Sequence, residues 1–307
     1  MDSEANKTTA SETYTTPPSA LRFMLQALKR SPGWQRKQAF PDLCLTWRGF
    51  RIDGDVIRSL QAVAGKAKGA SEDSLRVLVP HVSGFRLLMV ALSHTSWPLP
   101  VWGSLQVRNR LVLHHPFQAG DAFDLVTRVA AWRVLDKGIE VDLHTQLRQD
   151  DACAWESVVT IYYRGRFGAP AQHGVAQGAP MNSPVVDGGS ANTAQWRVDG
   201  SRRWHFGAIT GDYNGIHQWD PYARRLGFPA AFAHSQRIVA QCLAHLPALD
   251  SPAQQLDLWI KGPVFYDREV ILRQQTRDAG DGLDFAVCLS DDARPALVGS
   301  WRKALAA

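Results

Sequence analysis

The sequence predicts an α+β protein in which one structural unit, a long helix wrapped by an antiparallel sheet, occurs twice. Three observations lead to this fold class. The chain has 307 residues, more than the roughly 100–200 of a typical single domain. A segment rich in Gly, Pro, Ala and Gln at residues 168–193 divides it into two blocks. Each block shows the same order of signals, an apolar helical run followed by segments of alternating hydrophobicity.

In the first block, residues 82–92 are apolar nearly all round and predict a buried helix. Alternation typical of strands follows at residues 105–111, 123–129, 139–143 and 157–163. The tripeptide Asp-Lys-Gly at residues 136–138 predicts a hairpin turn between two of these strands. Residues 87–107 carry no formal charge, but Pro98 and Pro100 interrupt them. We therefore expect a helix, a turn and a strand there rather than a membrane span.

The second block repeats this order. Residues 237–245 predict a helix, and alternating segments follow at residues 256–260, 270–275, 285–289 and 296–301. Three identities lie 151 positions apart, namely Arg86 with Arg237, His94 with His245 and Leu105 with Leu256. The shared order and spacing indicate an internal duplication that would form a pseudo-dimer. We expect a disordered tail at residues 1–18, a first unit at 19–167, a semi-flexible linker at 168–193 and a second unit at 194–307.

Composition narrows the functional classes. Hydrophobic residues make up 45% of the chain and charged residues 21%, which excludes a disordered chain and a small disulfide scaffold. The net charge of +5 comes from scattered basic residues, so we expect no nucleic-acid partner. No CxxC pair occurs among the cysteines, and the N-terminal residues lack the features of a signal peptide. The expectation is a cytoplasmic protein with four reduced core cysteines, Cys44, Cys153, Cys242 and Cys288.

The most informative segment for chemistry is residues 206–217. Asp212 and His217 lie five positions apart in a turn-rich stretch flanked by Gly211 and Gly215. A carboxylate and an imidazole brought together around a tight turn can share one water molecule for general acid–base chemistry. The alternative is that Asp212 and Asn214 make turn hydrogen bonds and His217 packs at the surface. The histidine and cysteine spacings match no metal motif, and the glycines form no nucleotide-binding loop, so we expect neither metal nor cofactor.

The wider context of this segment resembles a known family. Residues 210–217 read Thr-Gly-Asp-Tyr-Asn-Gly-Ile-His. This is similar to the hydratase motif S/T-G-D-x-N-P-[LIV]-H of the MaoC-like (R)-specific enoyl thioester hydratases and dehydratases, except that Gly215 replaces Pro. Residues 233–236, Ala-His-Ser-Gln, resemble the Ala-His-Gly-Met of the family's central helix, and residues 258–265 resemble its F-x-x-P-V strand. The resemblance extends over residues 204–302, and the first half resembles a degenerate copy.

The resemblance implies a double hotdog, with a degenerate hotdog in the first unit and a catalytic one in the second. It implies reversible hydration of trans-2-enoyl thioesters, or dehydration of (3R)-hydroxyacyl thioesters, carried by coenzyme A or acyl carrier protein. Asp212 and His217 would be the catalytic pair. The expected substrate-binding residues are Gly211, Asn214, His234, Ser235 and Gln236. No cofactor, metal, nucleic acid or membrane span is expected, and a homodimer is allowed but not required.

Two alternatives to a hydratase stay open on the sequence. The departures from the family pattern at Gly215, Ser235 and Gln236 permit a non-catalytic subunit that binds acyl thioesters. A hotdog acyl-CoA thioesterase is the nearest rival enzyme. The small residues Gly84 and Ala91 in the first helix predict either a pocket for an acyl tail or ordinary core packing.

Overall fold

A computed structural model describes residues 9–34, 40–65, 72–186 and 192–304. The first half contributes seven strands: β1 (Thr9–Tyr14), β2 (Asp42–Arg51), β3 (Leu105–Leu113), β4 (Ala122–Leu135), β5 (Gly138–Gln149), β6 (Ala152–Arg164) and β7 (Ala171–His173). The second half contributes five: β8 (Asn192–Arg197), β9 (Gln254–Ile260), β10 (Glu269–Thr276), β11 (Gly282–Leu289) and β12 (Asp292–Lys303). In the described part of the chain they form one sheet in the order β1-β2-β4-β5-β6-β3-β9-β12-β11-β10-β8, with β7 beside β4.

Helices pack against this sheet. They are α1 (Ala20–Ala27), α2 (Gly54–Ala64), α3 (Glu72–Arg76), α4 (Val79–Ser83), α5 (Phe85–Ser93), α6 (Arg203–Thr210), α7 (Asp220–Arg225) and α8 (Ser235–His245), with short 3-10 turns at Val101–Gly103 and Gly215–His217. Every residue of α5 except Arg86 is buried, as the apolar pattern predicts. The helix predicted at residues 237–245 is α8, which begins two residues earlier.

The two halves meet edge to edge through β3 and β9. These strands pair antiparallel from Arg108 opposite Trp259 to Leu113 opposite Gln254. Since each strand also pairs with a neighbour in its own half, the backbone hydrogen bonds continue across the junction. The repeated order of helix and strands therefore corresponds to two similar units that share one sheet.

Local patterns in the sequence located most strands but not their lengths. All eight predicted strands are present, and β4 and β5 meet at the predicted hairpin, where Leu135 pairs with Gly138. The strand predicted at residues 139–143 extends as β5 to Gln149, and its first eight residues, Gly138 to Thr145, are all buried. Alternation is hidden there because both faces of β5 are covered.

The uncharged stretch at residues 87–107 is confirmed as a helix, a turn and a strand. Gly84 separates α4 from α5, and its N–H donates to the carbonyl of Pro80 at 2.8 Å. The prediction of one helix over residues 82–92 therefore joined two shorter ones. Among the described residues, no helix is both long and apolar enough to cross a membrane.

The prediction of a disordered tail at residues 1–18 is wrong for residues 9–14. This segment is β1, which pairs parallel with β2 from Thr9 opposite Asp42 to Tyr14 opposite Trp47. Its threonines, which lowered the apparent hydrophobicity, are β-branched and suit an edge strand. Residues 1–8 lie outside the described part of the chain.

The prediction of a semi-flexible linker at residues 168–193 is wrong for residues 171–186, which we call the strap, and for residues 192–193, which begin β8. The strap starts as β7 and then crosses the outer face of the sheet, where the Trp259 indole N–H donates to the carbonyl of Pro180 at 2.7 Å. A Cβ on Gly178 would lie 3.1 Å from Thr160 Oγ1, so the strap packs closely on β6. Residues 187–191 lie outside the described part, and the unit boundaries stay a prediction.

The strap covers charged side chains on the outer face of the sheet. Arg108 pairs with Glu140, and Arg133 pairs with both Glu140 and Asp142. Thr160 donates a further hydrogen bond to Asp142 at 2.7 Å. Buried charges are tolerated where each has such partners, and losing one partner typically costs about 3–5 kcal/mol.

The small residues of the first unit are packed rather than open at Gly84. A Cβ there would lie 2.6 Å from Leu125 Cδ2 and 2.9 Å from the Pro80 carbonyl oxygen. Ala91 and the neighbouring Trp97 are each 1% exposed. Around Gly84, ordinary core packing is therefore the better of the two interpretations.

All four cysteines are free thiols, as predicted. Cys242 and Cys288 are buried in the core, whereas Cys44 and Cys153 are only half-buried. The prediction that all four are core residues is therefore wrong for Cys44 and Cys153, because apolar neighbours in a strand face the opposite side of the sheet.

Candidate active site

Asp212 is positioned by the end of α6. Gly211 adopts the left-handed conformation at φ +80° and closes the helix through its N–H to the Gly207 carbonyl. Thr210 donates to the Phe206 carbonyl at 3.0 Å, and its hydroxyl accepts the N–H of Asp212 at 3.0 Å. The chain therefore turns sharply after α6 and leaves Asp212 8% exposed.

The loop from Asp212 to His217 is built from side-chain hydrogen bonds to the backbone. Asp212 Oδ1 accepts the N–H of Asn214 at 3.0 Å, and Asn214 Oδ1 accepts the N–H of Ile216 at 3.2 Å. The turn hydrogen bonds predicted for Asp212 and Asn214 are thus present. They do not exclude chemistry, because the resulting 3-10 turn returns His217 to the neighbourhood of Asp212.

His217 has a defined tautomer. Its Nδ1 lies 2.9 Å from the Phe232 carbonyl oxygen. A carbonyl oxygen only accepts, so Nδ1 carries the hydrogen and Nε2 keeps a free lone pair. Burial lowers the pKa of His217 to about 3, helped by the neighbouring His234. The imidazole is therefore neutral near pH 7 and able to accept a proton.

His234 adds a second imidazole to the candidate pair Asp212 and His217. Its ring stacks on that of His217, with centroids 3.8 Å apart and planes inclined by 29°. Its Nε2 lies 3.3 Å from the Asp212 carbonyl oxygen and 3.5 Å from Asp212 Oδ2. The sequence placed His234 among the substrate-binding residues, and the structure places it 2% exposed beside both catalytic candidates.

These three side chains form one electrostatic unit. The nitrogen and oxygen atoms that they offer all lie within 4.8 Å of one another. Burial raises the pKa of Asp212, but the hydrogen bond from His234 and the proximity of the two imidazoles lower it more, to about 2. Asp212 is therefore a carboxylate at neutral pH. This donor set could also hold a metal ion.

Ser235 and Gln236 form the first turn of α8. The N–H groups of a first helical turn have no acceptor within the helix. The side chain of Gln236 faces the other half, where its amide donates to Gln106 Oε1 at 3.0 Å and to His81 Nε2 at 3.2 Å. Ser235 Oγ donates to Gln236 Oε1 at 3.2 Å. The backbone N–H of Gln236 therefore has no acceptor within the helix, while its side chain joins the two halves.

The first half contributes residues that the sequence analysis missed. His81 of α4 and Gln106 of β3 hold Gln236, and burial lowers the pKa of His81 to about 4. A Cβ on Gly211 would lie 2.9 Å from Arg86 Cγ, so Arg86 packs directly on the turn before Asp212. No local signal could have found these contacts, because they join residues 125 to 155 positions apart.

Gly215, where the family pattern has Pro, is in contact with Tyr222. A Cβ at this position would lie 2.7 Å from Tyr222 Cδ1. The Tyr222 ring therefore occupies the space that a larger residue at position 215 would need. The departure from the motif at Gly215 therefore leaves no hole.

The chain is similar to several known proteins in sequence and in fold. No protein-family model matches the chain. The chain is 24% identical over 250 residues to the 3-hydroxyacyl-thioester dehydratase X of Mycobacterium tuberculosis. The aligned region covers 81% of this chain and 86% of that protein. The crystal structure of HtdX from the same organism aligns with a TM-score of 0.68 at 22% identity, over 85% of this chain and 100% of that one.

Two other solved structures define the fold. A MaoC-like dehydratase from Phytophthora capsici aligns with a TM-score of 0.65 at 11% identity, over 88% of this chain and 98% of that one. A Mycobacterium tuberculosis protein described as a double hotdog aligns with a TM-score of 0.53 at 14% identity, over 84% and 95% of the two chains. The chain has the double hotdog fold of the MaoC-like dehydratases. The α+β double hotdog predicted from the sequence is confirmed, as is the resemblance to this family.

Within the double hotdog, the three site residues belong to the second unit. Asp212, His217 and His234 all lie between β8 and α8, and His234 is the N-cap residue of α8. The first hotdog supplies supporting contacts instead, through His81, Gln106 and the Arg86 side chain.

Proposed function

We propose that the protein is a hydro-lyase that adds water to 2-enoyl thioesters and, in reverse, removes water from 3-hydroxyacyl thioesters. The observation that carries the proposal is the state of His217, a neutral imidazole with Nδ1–H bound to the Phe232 carbonyl and its other nitrogen free beside the Asp212 carboxylate. A base and an anion at this spacing suit the activation of one water molecule. The name of the Mycobacterium tuberculosis relative, a 3-hydroxyacyl-thioester dehydratase, supports the same reaction class.

In the proposed hydration, the water lies between Asp212 and His217. Its oxygen bonds to C3 of the enoyl group while His217 Nε2 takes one of its protons. The imidazolium then gives a proton to C2, so that the elements of water are added and His217 is neutral again. Asp212 accepts a hydrogen bond from the second water hydrogen and stabilises the imidazolium. Dehydration follows the same steps in reverse.

Negative charge grows on the thioester oxygen as C3 is attacked. The backbone N–H groups of Ser235 and Gln236 at the start of α8 are the proposed donors to this oxygen, since a helix N-terminus favours an anion. Removing one such donor typically raises the barrier by about 3–4 kcal/mol. Because backbone donors survive side-chain changes, Ser235 in place of Gly leaves this role available.

The finer assignments rest on the resemblance of the 210–217 motif to the family. We propose (3R) stereochemistry for the hydroxyacyl product and coenzyme A or acyl carrier protein as the thiol carrier. Gly211 and Asn214 are proposed to shape the substrate-binding loop. Gly211 does so by its left-handed conformation, and Asn214 by capping the 3-10 turn.

Product analysis with crotonyl-CoA tests the proposal. The expected result is loss of the conjugated-enoyl absorbance together with formation of (3R)-hydroxybutyryl-CoA. Release of free thiol without hydration would identify a thioesterase instead. A raised melting temperature with acyl-CoA, but no turnover of short or long enoyl-CoAs, would identify a binding subunit, because any ligand of the native state stabilises it.

A further inference from the structure

A second group of metal-ligating side chains lies in the first hotdog and shares no residue with the candidate active site. We call it the His–Cys–Glu cluster, and it consists of His114, Cys153 and Glu156. The ligand atoms of these three side chains all lie within 4.8 Å of one another. His114 follows β3, while Cys153 and Glu156 belong to β6.

A β-bulge brings the cysteine to the same side as the glutamate. Residues three positions apart on a regular strand face opposite sides of the sheet. The register between β5 and β6 shifts between Leu147 opposite Trp155 and Arg148 opposite Cys153, which leaves Ala154 as an extra residue in β6. Cys153 and Glu156 therefore share one face, which β6 presents next to His114.

The Glu156 carboxylate is held between two imidazoles. Its Oε1 lies 3.1 Å from His114 Nε2, and its Oε2 lies 2.7 Å from His144 Nε2. Arg128 can only donate, and its NH2 lies 3.3 Å from His144 Nδ1, so His144 Nδ1 accepts and Nε2 carries the hydrogen that Glu156 receives. His144 thus fixes Glu156 in place and is not itself free to bind an ion through Nε2.

The donor set and its accessibility suit a transition metal. Imidazole nitrogen, thiolate sulfur and carboxylate oxygen together are typical ligands of Zn²⁺ and of chemically similar ions. The His114 and Glu156 side chains are 18% and 29% exposed, so an ion can reach them from solvent. A carboxylate that a histidine N–H orients is the supporting arrangement common around such ions.

We propose that His114, Cys153 and Glu156 bind one divalent transition-metal ion of the Zn²⁺ class, with His144 as the positioning residue for Glu156. The ion bonds to the thiolate, and the thiol proton leaves to solvent. His114 coordinates through the nitrogen that now contacts Glu156, with its ring hydrogen on the other nitrogen. The ion would connect the end of β3 to β6 and would stabilise the native state.

Metal binding by Cys153 releases a proton that can be measured. The thiolate, not the thiol, is the metal ligand. One proton is therefore released when Cys153 binds the ion.

Titration of the full, reduced and chelator-treated protein with Co²⁺ tests the proposal. The expected result is saturable binding of one ion, with a thiolate-to-cobalt charge-transfer band and the strong visible bands of a tetrahedral site, both removed by added Zn²⁺. Binding at Asp212, His217 and His234 would give no thiolate band, because that group contains no sulfur. Asp212→Asn should therefore leave the band unchanged.

Variants assign the ligands. Cys153→Ser should abolish the thiolate band, whereas Cys44→Ser, which changes another half-buried cysteine, should retain it. His144→Asn should weaken Co²⁺ binding about 10–100-fold, as loss of a supporting partner does. His114→Gln keeps the thiol but should lower the affinity and the proton release. Absence of a thiolate band in the wild type, or its persistence in folded Cys153→Ser, would overturn the proposal.

Discussion

His217 shows how a single backbone contact decides what a side chain can do. The Phe232 carbonyl fixes the hydrogen on Nδ1, and burial keeps the ring neutral. The sequence motif predicted the pair of Asp212 and His217 correctly as neighbours, because both belong to one short loop. It did not predict that His234 would stack on His217, since that contact depends on how α8 packs against the loop.

The pH dependence of turnover follows from the lowered pKa of His217. An unperturbed histidine would be half protonated at about pH 6.5, whereas His217 stays neutral well below that value. We expect kcat/KM for crotonyl-CoA to stay constant from about pH 8 to about pH 5.5. A steady-state pH profile measures this, with circular dichroism as the control for folding. A decline centred near the ordinary histidine pKa would contradict the assignment.

Gly211 combines a left-handed backbone with close packing on Arg86. Gly211→Ala should lower the free energy of unfolding by about 1–2 kcal/mol, because a Cβ is strained in that conformation, and by more if Arg86 cannot move. Urea denaturation measures the change. Gly227→Ala, at φ +89° with no atom within 4 Å, isolates the backbone strain, and Gly262→Ala, with open space, should be neutral. Equal stability of the Gly211 and Gly262 variants would refute this explanation.

At the scale of elements, α8 is the part that connects the site to the first hotdog. Gln236 in its first turn donates to Gln106 of β3 and His81 of α4. The helix itself could be predicted from its apolar periodicity, and the β4–β5 hairpin from its Asp-Lys-Gly turn. The strap could not, because its Gly, Pro and Ala composition is typical of a free linker until Trp259 and Thr160 contact it.

His81 makes the stability of this connection depend on pH. Its pKa is about 4 when folded and 6.5 ordinarily, so between these values the unfolded chain binds a proton that the folded chain does not. Protonation of His81 in the unfolded chain therefore lowers the free energy of unfolding as pH falls from 6.5 to about 4. The slope is up to about 1.4 kcal/mol per pH unit. His81→Gln keeps a hydrogen-bond acceptor for Gln236 but does not titrate.

Urea denaturation between these two pH values checks this prediction. The slope of unfolding free energy against pH should be smaller in His81→Gln than in the wild type. His205→Gln is the matched control, because His205 is exposed. An identical slope in all three proteins would show that His81 is not buried in the neutral form.

At the scale of the whole molecule, the two hotdogs depend on each other. β3 and β9 complete one sheet, and the first half supplies His81, Gln106 and Arg86 to the surroundings of the site. The duplication predicted from the sequence anticipated two similar units. The duplication could not give the register of the junction between β3 and β9. That register is set by packing between residues far apart in the sequence, such as Arg110 and Asp257, which lie 147 positions apart.

Residues 192–307 expressed alone should therefore be insoluble or inactive. They would expose the edge of β9, and exposed edges promote aggregation. Co-expression with residues 1–186 should restore a soluble, active complex, measured by size-exclusion chromatography and crotonyl-CoA turnover. A soluble and fully active second half would show that the first hotdog is dispensable.

The central claim is that Asp212 and His217 activate the water that adds to the enoyl thioester. Turnover of crotonyl-CoA by Asp212→Asn and His217→Gln tests it most directly, with Tyr213→Phe as a control on an exposed residue of the same loop. Loss of one acid–base group should reduce kcat about 10²–10⁴-fold, while unfolding temperature and the Tyr213→Phe rate stay close to the wild type. Wild-type turnover in either folded catalytic variant would contradict the claim.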